Sequence, residues 1–556
     1  MNVSKESPLL AIAQQYLAAG NFELGKKTLV KVLQKNPASS KANELLAYVE
    51  GGAGNLTSAI ELLTKACQQK NCTAEALYNL GKYHADSGQA NQAIELLKKS
   101  VLKNGQFFES QHYLGLAYAK NSEYEKAIDT FKKAISINPQ SAESLNNLNN
   151  CLTALHRDDE ALSFVTKACE LDRNNAIYLA NKGVTLHNLK RHEEALASYQ
   201  ASLEIDPNYG VAWSNMGNTF SALQRTTEAI NAYDHALAID PSYYNAYWNK
   251  SLAQLLLGKH EEGLKNYEYR WLREDADTHL HPNIPKLTSL EDAKNKKVLV
   301  WSEQGYGDTL QFCRYVPLLI EAGVHVALET QAPLLPLLQN QFRCNVTQIG
   351  QAHEVVDYQI PLGSLPLLFK TTVDTIPANA PYLKVSDSKV LEWQNKLRLK
   401  QDKPNIGIAC SGNIKFDLEH GNTRPIPLDL LGQLSQVANL YLIQKEVRPT
   451  DQQYLDTHPE IVYLGLQIQD FEDSAAIIQN MDEIITIDTS LAHLAGALGK
   501  KTKILLPWVP DWRWLLRRQD SPWYPNSTLY RQESMGDWGI DEFKKINSQL
   551  HALPNL

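Results

Sequence analysis

Several features that would narrow the class of this protein are missing from its sequence. The 556 residues carry 54 lysines and arginines against 62 aspartates and glutamates, a formal net charge of −8, and no basic block stands out. Because nucleic-acid binding depends on clustered cations that neutralise phosphates, this balance argues against nucleic acid as a partner. No uncharged apolar run approaches the length of a bilayer, so we expect no membrane span.

Cysteine patterns and nucleotide-binding signatures are also missing. The seven cysteines are scattered without a C-x-x-C pair, which disfavours both a disulfide framework and a zinc site. No G-x-G-x-x-G or Walker A sequence is present, so we expect no dinucleotide cofactor and no ATP site. The amino-terminal segment lacks the long apolar stretch and cleavage site of a secretory signal. These absences predict a soluble, cytoplasmic protein without a bound metal.

The first half of the chain contains a repeat of 34 residues. Two independent sets of residues recur at this spacing, and between them lie two amphipathic helical patterns per unit. The small residues of the first set are Gly25, Ala59, Ala93, Ala127, Ala161, Ala195, Ala229 and Gly263. The pattern resembles the tetratricopeptide repeat over residues 6–277, in about eight units. The resemblance implies an α-helical solenoid with a groove lined by the first helix of each pair.

One position of this groove carries an asparagine in five of the units. The five are Asn79, Asn147, Asn181, Asn215 and Asn249. A side-chain amide offers a donor and an acceptor together, and can therefore bind a peptide backbone of any sequence. The ladder is similar to that of the eukaryotic O-linked N-acetylglucosamine transferase, which implies that these residues bind a polypeptide acceptor. The alternative is that each amide serves a neighbouring backbone group.

After a linker without periodicity at 278–296, the pattern changes to alternating strands and helices. Short apolar runs at 297–301, 405–409 and 483–487 alternate with helical segments, which predicts parallel sheets covered on both faces. We divide this half into an N-terminal Rossmann-like lobe at 297–385 and a C-terminal lobe with its tail at 386–556. Ligands are expected at the carboxyl ends of the strands.

The loop after the first of these strands reads WSEQGYGD. Gly305 and Gly307 predict a tight turn there, and Asp308 opens the following helix. One interpretation of Asp308 is a helix N-terminal cap. The other is a carboxylate at a cleft, placed to take a proton from an acceptor hydroxyl.

The first strand of the C-terminal lobe is followed by a loop rich in hydrogen-bond donors. Ser411, Asn413, Lys415 and Arg424 supply a hydroxyl, an amide and two cations, a set suited to phosphate groups. Lys445 follows the next strand. The alternative interpretation is an ordinary solvated loop.

The sequence DTSLAHLAGALG places Asp488, Thr489 and Ser490 at the mouth of a helix from which His493 projects. A helix start offers N–H groups and the positive end of the helix dipole, so we predict an anion site here. The small residues that follow predict a slim helix that a ligand can approach closely. Arg513, in a loop after the next strand, is expected to face the same cleft, whereas most of the surrounding tryptophans are expected to pack.

Taken together, GYGD, SGN…R and DTSLAHLAGALG resemble the GT-B glycosyltransferases, in particular the bacterial heptosyltransferase-like group. The resemblance implies two Rossmann-like lobes, a nucleotide-sugar donor bound by the residues named above, and Asp308 as the catalytic base. It also implies metal-independent, inverting transfer, and no D-x-D sequence falls between the predicted strands. With the repeats, the expected acceptor is a protein. The alternatives are a binding scaffold with a decayed transferase domain, or a transferase directed to glycans or lipids.

Overall fold

The computed structural model describes residues 8–70, 72–273, 276, 279–415, 424–538, 545–546 and 548. The chain forms two compact units, Met1–Thr219 and Phe220–Leu556, and the division falls inside one helix. The first unit is entirely helical within the described residues, and the second contains helices and two sheets.

The first unit consists of successive helices of 11 to 14 residues. They are α1 (Pro8–Ala18), α2 (Phe22–Lys35), α3 (Ser40–Gly52), α4 (Leu56–Cys67), α5 (Ala74–Asp86), α6 (Ala90–Lys103), α7 (Phe108–Lys120), α8 (Tyr124–Ile137), α9 (Ala142–Ala154), α10 (Asp158–Leu171), α11 (Ala176–Asn188), α12 (His192–Ile205) and α13 (Gly210–Ala222).

The periodic small residues explain how these helices pair. Ala59, Ala93 and Ala127 are fully buried. A Cβ at Gly183 would lie 2.5 Å from the ring of Tyr199, so only glycine lets α11 and α12 approach this closely. Hydroxyl and amide caps start several helices; the side chain of Ser141, for example, accepts the N–H of Ser144.

The second unit continues with helices and then builds a sheet of four parallel strands. Its first helices are α14 (Thr226–Ile239), α15 (Tyr244–Leu256), α16 (His260–Tyr267), a 3-10 turn at Glu268–Trp271, and α17 (Leu290–Ala293). The strands are β1 (Lys297–Trp301), β2 (His325–Thr330), β3 (Asn345–Gln348) and β4 (Tyr358–Pro361), in the order β3-β2-β1-β4. The accompanying helices are α18 (Tyr306–Phe312), α19 (Val316–Glu321), α20 (Leu335–Leu338) and α21 (Leu365–Leu368).

A second sheet has six parallel strands in the order β10-β9-β8-β5-β6-β7. They are β5 (Asn405–Ala409), β6 (Asn439–Leu442), β7 (Val462–Tyr463), β8 (Glu483–Ile487), β9 (Thr502–Leu506) and β10 (Ser527–Arg531). The helices of this region are α22 (Asp387–Leu397), α23 (Leu428–Gly432), α24 (Pro449–Thr457), α25 (Phe471–Asn480) and α26 (Ser490–Ala497). Every residue of β5, β8 and β9 is buried, as expected for the interior of a sheet covered on both faces.

The predicted helical first half and the predicted parallel α/β second half are both confirmed. The compact units, however, divide inside α13, so the last repeat helices belong to the same unit as the sheets. The domain boundaries at 277 and 296 were placed where the 34-residue repeat ends in the sequence, and they stay a prediction. Among the described residues, no helix is both long and apolar enough to cross a bilayer.

Candidate functional site

Loops from the carboxyl ends of the two sheets meet within the second unit. Gly307, in the first turn of α18, faces α26: a Cβ built on it would lie 2.7 Å from Cδ2 of His493 and 3.6 Å from Cα of Ser490. The left-handed residue of this loop is Gln304, with φ +58°, rather than Gly305 or Gly307. Gly307 is therefore needed for the contact between α18 and α26, and not for the tight turn that the sequence suggested.

Asp308 lies in an ion-pair network that joins the loop after β1 to the loop after β9. Its Oδ1 is paired with Nη2 of Arg513, and its Oδ2 accepts the N–H of Gly305 at 2.9 Å. Nη1 of Arg513 also donates to both oxygens of Asp511, at 2.9 and 3.0 Å. Asp308 is the third residue of α18, and the residue at the N-terminal cap is Gly305, so Asp308 takes part in capping without being the cap that the sequence suggested. Its role as a catalytic base stays a prediction.

The charges of this network act on a second carboxylate, Asp488. Burial and then the nearby charge of Asp511 raise the pKa of Asp488 to about 7, although Arg424 and Arg513 oppose the shift. Burial also raises the pKa of Asp308, again against the effect of Arg513. Three carboxylates and two guanidinium groups therefore interact at the carboxyl ends of β1, β5, β8 and β9.

The mouth of α26 has the features of an anion site. Thr489 caps the helix, since its hydroxyl accepts the N–H of Leu491 at 3.3 Å. Nη1 of Arg424 lies 3.3 Å from the carbonyl oxygen of Asp488, which brings a cation to the start of the helix.

The remainder of α26 is packed against protein. His493 is buried, its Nδ1 lies 2.8 Å from the hydroxyl of Tyr524, and its ring stacks on Trp514 at 5.4 Å. Burial and then Arg513 hold the pKa of His493 well below its usual range, so the imidazole is neutral. A Cβ at Gly496 would lie 2.3 Å from the ring of Tyr524. The small residues of α26 thus accommodate neighbouring side chains rather than an open face.

The predicted phosphate loop is only partly brought to this place. Ser411 is buried, and its hydroxyl accepts a hydrogen bond from Nε2 of Gln444 at 2.7 Å. Asn413 and Lys415 are exposed, and so is Lys445, whose Nζ donates to the carbonyl of Gln469 at 3.1 Å. Residues 416–423 of the same loop lie outside the described residues.

The five asparagines occupy the sixth position of α5, α9, α11, α13 and α15. All five are half-buried, namely Asn79, Asn147, Asn181, Asn215 and Asn249. Asn181 donates to Oδ1 of Asn146 on the preceding first helix, at 2.9 Å. This contact shows the local, structural use of the amide at one rung, while acceptor binding by the ladder stays a prediction.

One buried ion pair, Arg270 with Glu303, was not predicted from the sequence. Arg270 donates from Nε and Nη2 to the two oxygens of Glu303, at 2.9 and 2.8 Å, and Nη2 also donates to Ser364 at 2.9 Å. Glu303 lies in the same WSEQGYGD loop, two residues before Gly305, so this pair anchors that loop to the end of the repeat helices. Its only signal in the sequence is an arginine between two aromatic residues, in EYRW.

Within the described part of the chain, no group of three or more histidine, cysteine, aspartate or glutamate residues is arranged to hold a metal ion.

Family profiles of the tetratricopeptide repeat match residues 10–71, 74–102, 109–141, 175–242 and 215–278. The amino-terminal region is therefore a solenoid of tetratricopeptide repeats, followed by an α/β region with parallel sheets.

Parts of this chain are similar to proteins of known sequence or structure. Over 322 residues it is 24% identical to protein FlbA of Caulobacter vibrioides, and the match spans 51% of this chain and 51% of that relative. A crystal structure of YrrB, described as a TPR protein with an unusual peptide-binding site, shares 24% identity and covers 35% of this chain and 100% of its own, with a TM-score of 0.31. The C-terminal part of a repeat protein from Cytophaga hutchinsonii shares 16% identity, with 43% and 98% coverage and a TM-score of 0.36.

Proposed function

We propose that this protein is a glycosyltransferase that moves a sugar from a nucleoside-diphosphate donor to a protein held by its repeats. The observation that carries the proposal is the convergence of Arg424, Arg513 and the mouth of α26 on one place. Helix N-termini and guanidinium groups are the donors that bind diphosphates best. The repeats supply the reason for a protein acceptor, since stacked repeats present an extended binding surface.

In the proposed reaction, the acceptor hydroxyl oxygen attacks the anomeric carbon of the sugar. The bond between that carbon and the phosphate oxygen breaks, and the nucleoside diphosphate leaves with the bonding electron pair. Arg424 and Arg513 stabilise the charge on the leaving group. Asp308 takes the hydroxyl proton, and this requires Arg513 to move from Asp308 toward the diphosphate as the donor binds.

The donor half of the proposal is tested by release of nucleoside diphosphate from a panel of UDP-, GDP- and ADP-sugars. We expect one donor to be hydrolysed slowly by the wild type, and Arg424→Ala to weaken binding by at least tenfold. The matched control is Arg518→Ala, because Arg518 is paired with Asp520 outside the network. Equal rates of nucleoside-diphosphate release by the Arg424→Ala and Arg518→Ala variants would show that Arg424 is not part of the donor site.

The acceptor half is tested with the asparagine ladder. Changing Asn181, Asn215 and Asn249 together to alanine should abolish transfer to protein while donor hydrolysis, which needs only the α/β region, persists. Loss of both activities to the same extent would point to a structural role for the ladder. The second candidate function, a scaffold without activity, is favoured if no nucleotide binds, since the repeats alone support protein binding.

A further inference from the structure

Two cysteines of the first unit lie in direct contact. Cys67 is the last residue of α4, and Cys72 stands directly before Thr73, the residue that caps α5 with its hydroxyl group. The Sγ atoms of Cys67 and Cys72 are 2.6 Å apart, and both residues are free thiols. Neither the donor site nor the asparagine ladder accounts for this pair.

The helix that ends at the pair is shorter than its counterparts in the same unit. α2, α6, α8, α10 and α12 each have 14 residues, whereas α4 has 12 and ends at Cys67. Beyond this early end, the N–H of Cys72 donates to the carbonyl of Gln69 at 3.1 Å, which holds Cys72 close to the helix. In the preceding repeat the same two positions are Leu33 and Ala38. The short helix and the two thiols therefore occur together in one repeat.

The two thiols are close enough to be joined, and they differ in access. The sulfur atoms of a disulfide are about 2.0 Å apart, so the sulfurs of this pair are separated by only about 0.6 Å more than the bond length. Cys72 is buried, whereas Cys67 is partly exposed and can be reached from solvent. Burial and then the hydrogen bond with Cys72 raise the pKa of Cys67, so its thiol is protonated and reacts slowly at neutral pH.

We propose that Cys67 and Cys72 are a site of reversible oxidation, at which a low-molecular-weight disulfide such as oxidised glutathione converts the two thiols to one disulfide. The thiolate of Cys67 attacks the small disulfide, a mixed disulfide forms, and one small thiolate leaves. The thiolate of Cys72 then attacks the sulfur of Cys67, the mixed bond breaks, and the second small thiolate leaves with the electron pair. The two protons of the cysteines end on the two released thiols, and the two electrons lost by the cysteines reduce the small disulfide.

The bond would tie the end of one repeat to the start of the next. If the fold favours the disulfide by a given factor, the disulfide stabilises the fold by the same factor. α5 bears Asn79, the first rung of the asparagine ladder, so oxidation fixes the helix junction that precedes this rung. The inference does not depend on the proposed function, because it concerns only the chemistry of the two thiols.

The test equilibrates the full-length protein in mixtures of reduced and oxidised glutathione, quenches with acid, alkylates the remaining thiols with N-ethylmaleimide and maps them by mass spectrometry. We expect the peptide with Cys67 and Cys72 to lose two hydrogen atoms, to take up no maleimide, and to recover both thiols in dithiothreitol. The same equilibrium in denaturing urea is the reference, and the folded protein should favour the disulfide by about tenfold or more. Cys169 is the internal control, because it occupies the repeat position of Cys67 but has Asn174 in place of a second thiol.

Cys72→Ser removes the second thiol and keeps the first. In this variant a mixed disulfide with glutathione should accumulate at Cys67, and thermal melts under reducing conditions check its fold. Should the variant not fold, the comparison of folded and urea-unfolded wild type still decides. Three results would overturn the proposal: two thiols that stay alkylatable in the most oxidising mixture, a mixed disulfide that persists at Cys67 of the wild type, or a disulfide no more favoured in the folded protein than in urea.

Discussion

Gly307→Ala adds one carbon atom, the Cβ, at the contact between α18 and α26, and therefore tests that contact. The added Cβ would lie 2.7 Å from Cδ2 and 3.4 Å from Nε2 of His493, closer than carbon atoms approach without a shift. The imidazole has little freedom to move, because it is hydrogen-bonded to Tyr524 and stacked on Trp514. The clash therefore has to be relieved by separating α18 from α26.

Two effects of opposite sign decide the magnitude. Alanine is a better helix former than glycine by at most about 1 kcal/mol, which favours the variant. Overpacking of a tight contact costs about 1–3 kcal/mol, which opposes it. We expect the clash to dominate and the second unit to lose about 1–2 kcal/mol of unfolding free energy.

The assay is urea denaturation followed by tryptophan fluorescence, with Gly52→Ala in α3 as the control. A Cβ at Gly52 meets nothing within 4 Å, so that variant should be neutral or slightly stabilising. A double-mutant cycle of Gly307→Ala with His493→Ala should return a coupling of about 1 kcal/mol, because removal of the ring relieves the clash. Stabilisation by Gly307→Ala, or additive single effects, would refute the contact.

Three further predictions concern the buried groups around this contact. The pKa of Asp488 is raised to about 7 in the folded state, from about 3.9 in the unfolded state. Between these two pH values the folded state keeps a proton that the unfolded state releases, so the free energy of unfolding falls as pH rises. Asp488→Asn should therefore stabilise the protein more at pH 8 than at pH 5 in thermal melts, and a pH-independent difference would contradict the shift. Arg513→Ala should cost about 3–5 kcal/mol, because it leaves Asp308 and Asp511 unpaired, and a cost below about 1 kcal/mol in urea denaturation would argue against the pair. Trp523, which is 1% exposed, should cost about 3–5 kcal/mol when changed to alanine, and a smaller loss in the same assay would mean that the tail does not pack.

The interior strands of both sheets could be predicted from the sequence, whereas of the four edge strands only β7, within IVYLG, was predicted. Continuous apolar runs correctly indicated β1, β5 and β8, because a strand buried on both faces has no polar positions. The unpredicted strands β3, β4 and β10 all lie at sheet edges and read NVTQ, YQIP and STLYR. Partly polar segments of this kind show neither a continuous apolar run nor a clean alternation.

The candidate site was predictable as a set of loops but not as a set of contacts. Strand ends marked the loops that hold Asp308, Asp488 and Arg513, since parallel strands direct their carboxyl ends to one edge. The ion pair of Asp308 with Arg513 joins residues 205 positions apart, and no local pattern encodes it. The sequence suggested a cleft-facing arginine, but the structure buries Arg513 between two carboxylates, so its loss should affect stability as well as turnover.

The central claim is that the mouth of α26 binds the diphosphate of a sugar donor. Hydrogen exchange measured by mass spectrometry, with and without saturating UDP, GDP or ADP, tests it most directly. The account predicts that one nucleotide slows exchange in the peptide covering Thr489 to Ala492, with no change in α22. Absence of protection there with all three nucleotides, or protection confined to other parts of the chain, would contradict the account.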